Sequence, residues 1–332
     1  MGACIGRWIG RAGLAVALIA AAPAPAAEPP VTPPEALRAV VALRVTVPAE
    51  ARSAATLGRE RHGSGVVIDA GGLIVTIGYL ILEASAVEVV ADGKTVAASV
   101  VGYDHQTGFG LVRASQPLGV KPMPLGSAAA LAARSPAIAA AHGGLDAAQP
   151  VVVTARRRFA GYWEYMLDDA IFTTPPIAEF GGAALIDLEG RLVGIGSLLV
   201  GDALEEPRYP GNMFVPIDLL KPIMGDLLAL GRSSAPAHPW LGITTQEAHG
   251  RLFVVTVAPE GPAARAGLQE GDIILAIGAT PVATLPELYG AVWGLGPAGV
   301  EVPLTVLRRA DKTTVTVKSI DRLSFLKTGI TY

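Results

Sequence analysis

Short runs of β-branched residues, each closed by glycine or aspartate, dominate the chain from about residue 39 and leave little room for long helices. Val40–Val47, Gly63–Asp69, Leu73–Thr76, Val87–Val90 and Val96–Val101 are such runs, and Asp92-Gly93 between the last two is a hairpin signal. Strands of this length at this spacing predict an antiparallel barrel or sandwich. Composition points the same way: 51% hydrophobic, 5% aromatic and 17% charged residues, with 39 Gly and 26 Pro in 332 residues, favour strands and turns over disorder or a helical array. One stretch constrains the fold further. In Ala178-Glu179-Phe180-Gly181-Gly182-Ala183-Ala184-Leu185-Ile186-Asp187, a Gly-Gly pair precedes an apolar run, so the backbone turns sharply and then enters a buried strand. A turn of that kind presents one side chain, here Phe180.

The N-terminal region reads as an address. Arg7 and Arg11 precede an apolar run from Ala12 to Ala22, and Ala24, Ala26 and Ala27 lead into Glu28-Pro29-Pro30, the pattern of a secretory signal peptide over residues 1–27. The run is shorter than the span of about 20 residues that a membrane helix needs, and no later segment qualifies. A periplasmic or secreted location without an integral span after cleavage is therefore expected. Cleavage would remove Cys4, the one cysteine, and with it thiol chemistry, disulfides and Cys-based metal sites. The net charge of -3, with no basic run longer than Arg156-Arg157-Arg158, argues against a nucleic-acid partner. Scattered histidines have no paired ligand spacing, so no metal or cofactor is expected.

Gly63-Ser64-Gly65-Val66-Val67-Ile68, Leu73–Ile81, Val101–Leu111, Pro124-Leu125-Gly126-Ser127, Gly181–Gly196 and Phe214–Leu220 are similar, in sequence and in order, to segments of the HtrA/Deg-type serine proteases. The resemblance implies a mostly β fold, with a chymotrypsin-like double β-barrel over residues 37–230. Trp240-Leu241-Gly242-Ile243, Val254–Pro259, Gly261–Leu268, Gly271–Ile277, Pro281-Val282, a helix from Leu285 and strands over 302–307 and 314–317 resemble a PDZ domain, an α+β module over 240–322. Residues 28–36 are Pro-rich and read as a flexible leader, 231–239 as a polar, Pro-bearing linker, and 323–332 as a C-terminal tail.

Peptide hydrolysis in this family requires a serine oxygen, an imidazole that takes its proton and a carboxylate that orients the imidazole. The histidine position falls on Tyr79, the carboxylate position on Gly108 and the nucleophile position on Phe180, so no catalytic residue is expected among them. A phenol is a poor general base at neutral pH, glycine offers no side chain and a phenyl ring cannot attack a carbonyl. We expect the rings of Tyr79 and Phe180 to meet across the cleft between the barrels, with Gly108 making room for them. His62, His105 and His142 read as surface or turn histidines, and Ser64 is the nucleophile that a rebuilt centre would use. The aromatic segment from Tyr162 to Pro176 is either core of the second barrel or a binding surface.

In a PDZ domain an extended peptide adds to a sheet edge, and backbone N–H groups of the preceding loop hold its terminal carboxylate. The resemblance assigns that loop to Trp240, Leu241, Gly242 and Ile243, and the pocket for the last side chain to Leu288 and Val292, four apart on the groove helix. The alternative is a PDZ fold used for packing alone. These readings converge on a secreted, non-catalytic HtrA-like protein that binds a partner protein or C-terminal peptide as scaffold, chaperone-like or assembly factor. An active endopeptidase with a rearranged catalytic centre is the alternative. The resemblance also implies homo-oligomers, commonly trimers built through the N-terminal segment, although Pro33–Leu43 lacks aromatics that would support them.

Overall fold

The computed structural model describes residues 33–327 together with Met1 and Gly2, so positions 3–27 of the expected signal peptide, 28–32 of the leader and 328–332 of the tail lie outside the described residues. Six strands, β1 (Val40–Thr46), β2 (Glu60–Val67), β3 (Leu73–Ile77), β4 (Ala86–Ala91), β5 (Lys94–Tyr103) and β6 (Phe109–Ala114), close a first barrel in the order β1-β2-β3-β6-β5-β4. The β4–β5 turn is Asp92-Gly93, with φ of 46° and 75°, the primed geometry whose twist matches the flanking strands. β7 (Pro136–Ala140), β8 (Ala148–Gly161), β9 (Tyr165–Thr174), β10 (Ala184–Ile186), β11 (Leu192–Leu204) and β12 (Tyr209–Pro216) close a second barrel in the order β10-β11-β12-β9-β8-β7. Alternate inward side chains fill both, and one apolar cluster runs from Leu43, Ile74 and Phe109 of the first barrel to Phe172, Ile195 and Met213 of the second.

The Gly181-Gly182 turn is the tightest point between the barrels. Ser64 on β2 donates its N–H to the Gly181 carbonyl (2.8 Å), and Gly182 donates to Gly196 on β11 (2.9 Å). Gly182 sits at φ 75°, and a Cβ there would lie 1.9 Å from the Ser64 carbonyl oxygen. Only glycine allows that approach and that backbone angle together.

The third unit is a sheet of β13 (Ile243–Ala248), β14 (Arg251–Val257), β15 (Ile273–Ile277), β17 (Glu301–Arg308) and β18 (Asp311–Lys318), with the short β16 (Thr280–Pro281) against β15. β13 is its edge strand. The helices are short: α1 (Pro33–Leu37), α2 (Ala54–Leu57), α3 (Gly78–Ile81), α4 (Met224–Leu230), α5 (Pro262–Arg265), α6 (Leu285–Trp293) and α7 (Arg322–Phe325). α6 starts at a capping box in which Thr284 Oγ1 accepts the Glu287 N–H and Glu287 returns a carboxylate oxygen to the Thr284 N–H. Its buried face, Leu285, Leu288, Tyr289 and Val292, has helical spacing and packs on the sheet. No helix among the described residues is long and apolar enough to cross a membrane.

Two flanking segments differ from expectation. The leader gives way to α1 before residue 36, with Ala36 and Leu37 buried, because the helix packs its small apolar face on the first barrel. The tail from residue 323 packs back on the rest of the chain: Phe325 lies 4.8 Å from the Trp240 ring of the PDZ unit, and the Lys327 N–H donates to Glu83 Oε1 beside the first barrel (2.6 Å).

Replacing Gly182 with alanine is expected to combine left-handed backbone strain with a backbone clash, costing about 3 kcal/mol. The midpoint of urea unfolding measures it, and Gly225→Ala, inside α4 where an added Cβ meets nothing and alanine favours the helix, serves as the comparison that is not destabilised.

Candidate functional site

β3 ends at Ile77 and the chain turns directly into α3, which carries Tyr79 into the cleft between the barrels. Arg61 on β2 holds that turn. Its buried guanidinium donates to the carbonyls of Tyr79 (2.8 Å), Leu82 (2.9 Å) and Gly58 (3.1 Å) and to Ser53 Oγ (2.8 Å). The Gly78 N–H donates to the Gly108 carbonyl (2.6 Å), and a Cβ on Gly181 would meet the Tyr79 hydroxyl at 3.0 Å. Tyr79, Gly108 and the turn bearing Phe180 therefore meet at one place.

The rings of Tyr79 and Phe180 do not pair as expected. Tyr79 donates its hydroxyl to the Ser197 carbonyl on β11 (2.9 Å), and burial pushes its pKa above the usual tyrosine range. That bond holds the ring against the cluster shared by the barrels, whereas Phe180 packs on a separate cluster of the second barrel. The room left by Gly108 is used by a third ring. Gly108 adopts φ 86°, and a Cβ there would come within 3.1 Å of the Tyr165 hydroxyl, which donates to the Thr107 carbonyl (2.7 Å). The cleft is filled by Tyr79 and Tyr165, and a tyrosine from β9 stands against the carboxylate position.

A serine and a histidine do approach each other nearby. Ser64 Oγ lies 3.2 Å from His142 Nδ1 and accepts the His142 backbone N–H (3.0 Å), while the same Nδ1 lies 3.8 Å from Glu179 Oε2. A triad uses opposite ring nitrogens for nucleophile and carboxylate, and its serine faces substrate. Here one nitrogen faces both groups, and Ser64 is fully buried. His62 is exposed on β2.

On the PDZ side, the N–H groups of the expected carboxylate loop converge on a carboxylate, and that carboxylate is the chain's own. Glu164 Oε2 accepts from Leu241 (2.8 Å), and Oε1 accepts from Gly242 (2.8 Å) and Ile243 (3.0 Å). Hydrogen bonds to a charged group contribute about 1.5–3 kcal/mol each. Burial raises the Glu164 pKa to about 7, opposed by the three N–H groups and by Arg322. Leu288 and Val292 are buried in the PDZ core, and the α6 side chain that reaches the occupant is Tyr289. Its hydroxyl donates to the Gly161 carbonyl (2.6 Å) and accepts the Glu164 N–H (3.1 Å). Trp240 lies on the loop, but its N–H pairs with the Ile320 carbonyl (3.0 Å) and its ring with Phe325. Sequence reasoning missed Glu164, Tyr165 and Tyr289. Tyr289 could have been found from the apolar face it shares with Leu285, Leu288 and Val292. The aromatic segment is both of the things weighed for it: Tyr165 and Phe172 are core, and its tip meets the PDZ unit.

Behind this contact a cavity of about 50 Å³ is bordered by His105, Glu164, His238, Trp240 and Arg322. His105 receives the Arg322 guanidinium on Nε2 and lies 2.6 Å from the Tyr103 hydroxyl on Nδ1. Burial, and then the positive charge of Arg322, hold its pKa well below the usual histidine value of 6.5. The unfolded chain therefore binds a proton that the folded chain refuses, and stability falls as pH drops below about 6.5. Glu164, its pKa raised to about 7, takes up a proton on folding over the same range and acts in the opposite sense, so denaturant unfolding is expected to show the stability of the unaltered chain falling relative to His105→Gln between pH 7 and 5. Restoring a triad by Tyr79→His, Gly108→Asp and Phe180→Ser is expected to lower stability without giving casein hydrolysis, because Tyr165 and the left-handed backbone at residue 108 exclude the aspartate.

Residues 63–195 match the trypsin-like peptidase domain family, and residues 239–319 match the PDZ domain family. The chain is 26% identical over 276 residues to the periplasmic serine endoprotease DegP of Salmonella typhimurium, covering 77% of this chain and 56% of DegP. It is 28% identical over 326 residues to the serine protease PepD of Mycobacterium tuberculosis, covering 89% of this chain and 68% of PepD. The chain thus spans about half the length of DegP. Among solved structures, the serine endoprotease from Yersinia pestis superposes with a TM-score of 0.51 at 23% identity, covering 89% of this chain and 99% of that one. The HtrA-type protease AlgW with a decapeptide gives 0.51 at 21% identity, covering 88% and 97%; both likenesses speak to the fold. Built as a mostly β double barrel followed by a PDZ sheet, the chain carries a trypsin-like peptidase domain and a PDZ domain and is a homologue of the DegP/HtrA serine proteases.

Proposed function

We propose that this chain is a non-hydrolytic relative of the HtrA proteases that binds a partner protein or C-terminal peptide through its PDZ unit, as scaffold, chaperone-like or assembly factor. The observation that carries the reading is the cleft itself: Tyr79, Gly108 and Phe180 occupy the triad positions, and Tyr79 and Tyr165 fill the space where a substrate carbonyl would meet a nucleophile. Among the described residues, the serine that a histidine approaches at this cleft, Ser64, is buried. The signal-like N-terminal pattern, together with the periplasmic relative DegP, favours a periplasmic or secreted location. The PDZ match and the converging N–H groups of Leu241, Gly242 and Ile243 favour recognition of a carboxylate.

The competing reading is an endopeptidase with a rearranged centre, and the Ser64–His142 approach of 3.2 Å and the naming of the relatives DegP and PepD as serine proteases are in its favour. The burial of Ser64 weighs against it. Purified protein incubated with casein and with a fluorophosphonate serine probe separates the two. The expected result is neither cleavage nor labelling; labelling at Ser64 together with casein cleavage, both lost in Ser64→Ala, would reverse the assignment.

A further inference from the structure

The β8–β9 hairpin crosses from the second barrel to the PDZ unit and lies where a PDZ ligand lies. Its tip, residues 161–164, sits between β13, the edge strand of the sheet, and α6. The Tyr162 carbonyl accepts the Thr245 N–H of β13 (3.0 Å), so the tip adds one strand-like bond to the open edge. Tyr289 of α6 holds the other side through Gly161 and Glu164. Ala160 and Met166, on the strands either side of the tip, pack against the PDZ core. The Glu164 carboxylate then receives the three N–H groups of the 241–243 loop. Backbone pairing at the edge, a carboxylate in the loop and apolar contact with the core together reproduce each element of peptide recognition.

The hairpin is built unfavourably for its own sake. Gly161 pairs with Tyr165, leaving a three-residue loop whose last position takes the left-handed conformation and favours glycine. That position is Glu164, at φ 60°. A side chain other than Gly, Asn or Asp there is uncommon, and such outliers persist where the surroundings over-determine them. What over-determines Glu164 is the loop that grips its carboxylate.

From this we infer that Glu164 is a built-in pseudo-ligand: the β8–β9 hairpin closes the PDZ groove, and a ligand with a free terminal carboxylate enters only by displacing it. This rests on the peptide-binding reading above and specifies its regulation. The occupant competed for is a chain end with an apolar last residue, since the Glu164 side chain supplies the anion while Ala160 and Met166 of the hairpin supply apolar contact with the PDZ core. The apparent affinity of the intact chain is lowered by the fraction of molecules in which the hairpin is docked.

The test uses the full chain and the variants Glu164→Gly and Glu164→Gln. Glycine removes the carboxylate while suiting the hairpin backbone, so folding is kept; glutamine keeps the size and removes the charge. Fluorescent peptides ending in an apolar residue, as free acids and as C-terminal amides, are titrated into each protein, and hydrogen exchange is followed at the Leu241, Gly242 and Ile243 amides. The expected result is faster exchange at these amides in Glu164→Gly and at least tenfold tighter binding of the free acids than by the unaltered chain, with the amides gaining nothing. Unchanged exchange, or equal affinity for the free acids with and without Glu164, overturns the pseudo-ligand and leaves peptide binding standing. Faster exchange with no peptide bound by any of the three proteins supports closure by Glu164 and overturns the peptide-binding reading on which the competition rests.

Discussion

A carboxylate taken out of water and three backbone N–H groups with no strand to pair them are each unfavourable alone, and in this protein each resolves the other. Glu164 and the 241–243 loop meet at 2.8–3.0 Å, and the contact joins a hairpin of the second barrel to the PDZ unit. Burial acts against the charge of Glu164, so the three donors are the condition for having it there at all. The surface ion pairs between the units are more exposed. Arg52 reaches Glu260 across the surface at 3.0 Å, and Arg232 reaches Asp321 at 3.1 Å, contacts that solvent screens and that contribute little.

The cleft between the barrels separates scaffold from side chain. The Gly181-Gly182 turn keeps its geometry because the Ser64 carbonyl and Gly196 press on it from both barrels. That constraint is one of packing and is indifferent to the side chain at position 180. Arg61 likewise holds the α3 turn through main-chain carbonyls, whichever residue stands at position 79. Side chains at these positions can therefore change while the fold that presents them persists. A fold shared with proteases consequently says less about hydrolysis than the three side chains do.

Much of this architecture was legible in the sequence. Period-two runs, the Asp92-Gly93 turn and the helix at Leu285 are local patterns, and strands and helices form where such patterns predict them. The Gly-Gly turn was legible because its steric demand is written in the residue type. What was not legible depends on residues far apart in the chain. Tyr165 reaches Thr107 across 58 positions, and Glu164 reaches Leu241 across 77. Nothing in the local spacing of either residue names its partner. The expected Tyr79–Phe180 pairing failed for the same reason: two rings placed at one cleft were assumed to touch, whereas a carbonyl on β11 and a tyrosine on β9 had claims on the space.

Glu164 and Tyr165 are neighbours in the chain and act at opposite ends of one turn. One side chain is gripped by the PDZ loop, and the next stands at the position where a protease would carry its aspartate. A side chain placed at position 108 would have to move Tyr165, and in reshaping that turn it would disturb the residue held by the PDZ loop. A movement of the turn away from the PDZ unit would likewise unsettle the ring that stands against Gly108. Cleft and groove are therefore coupled through one short piece of backbone, and a shift of its main chain is felt in both.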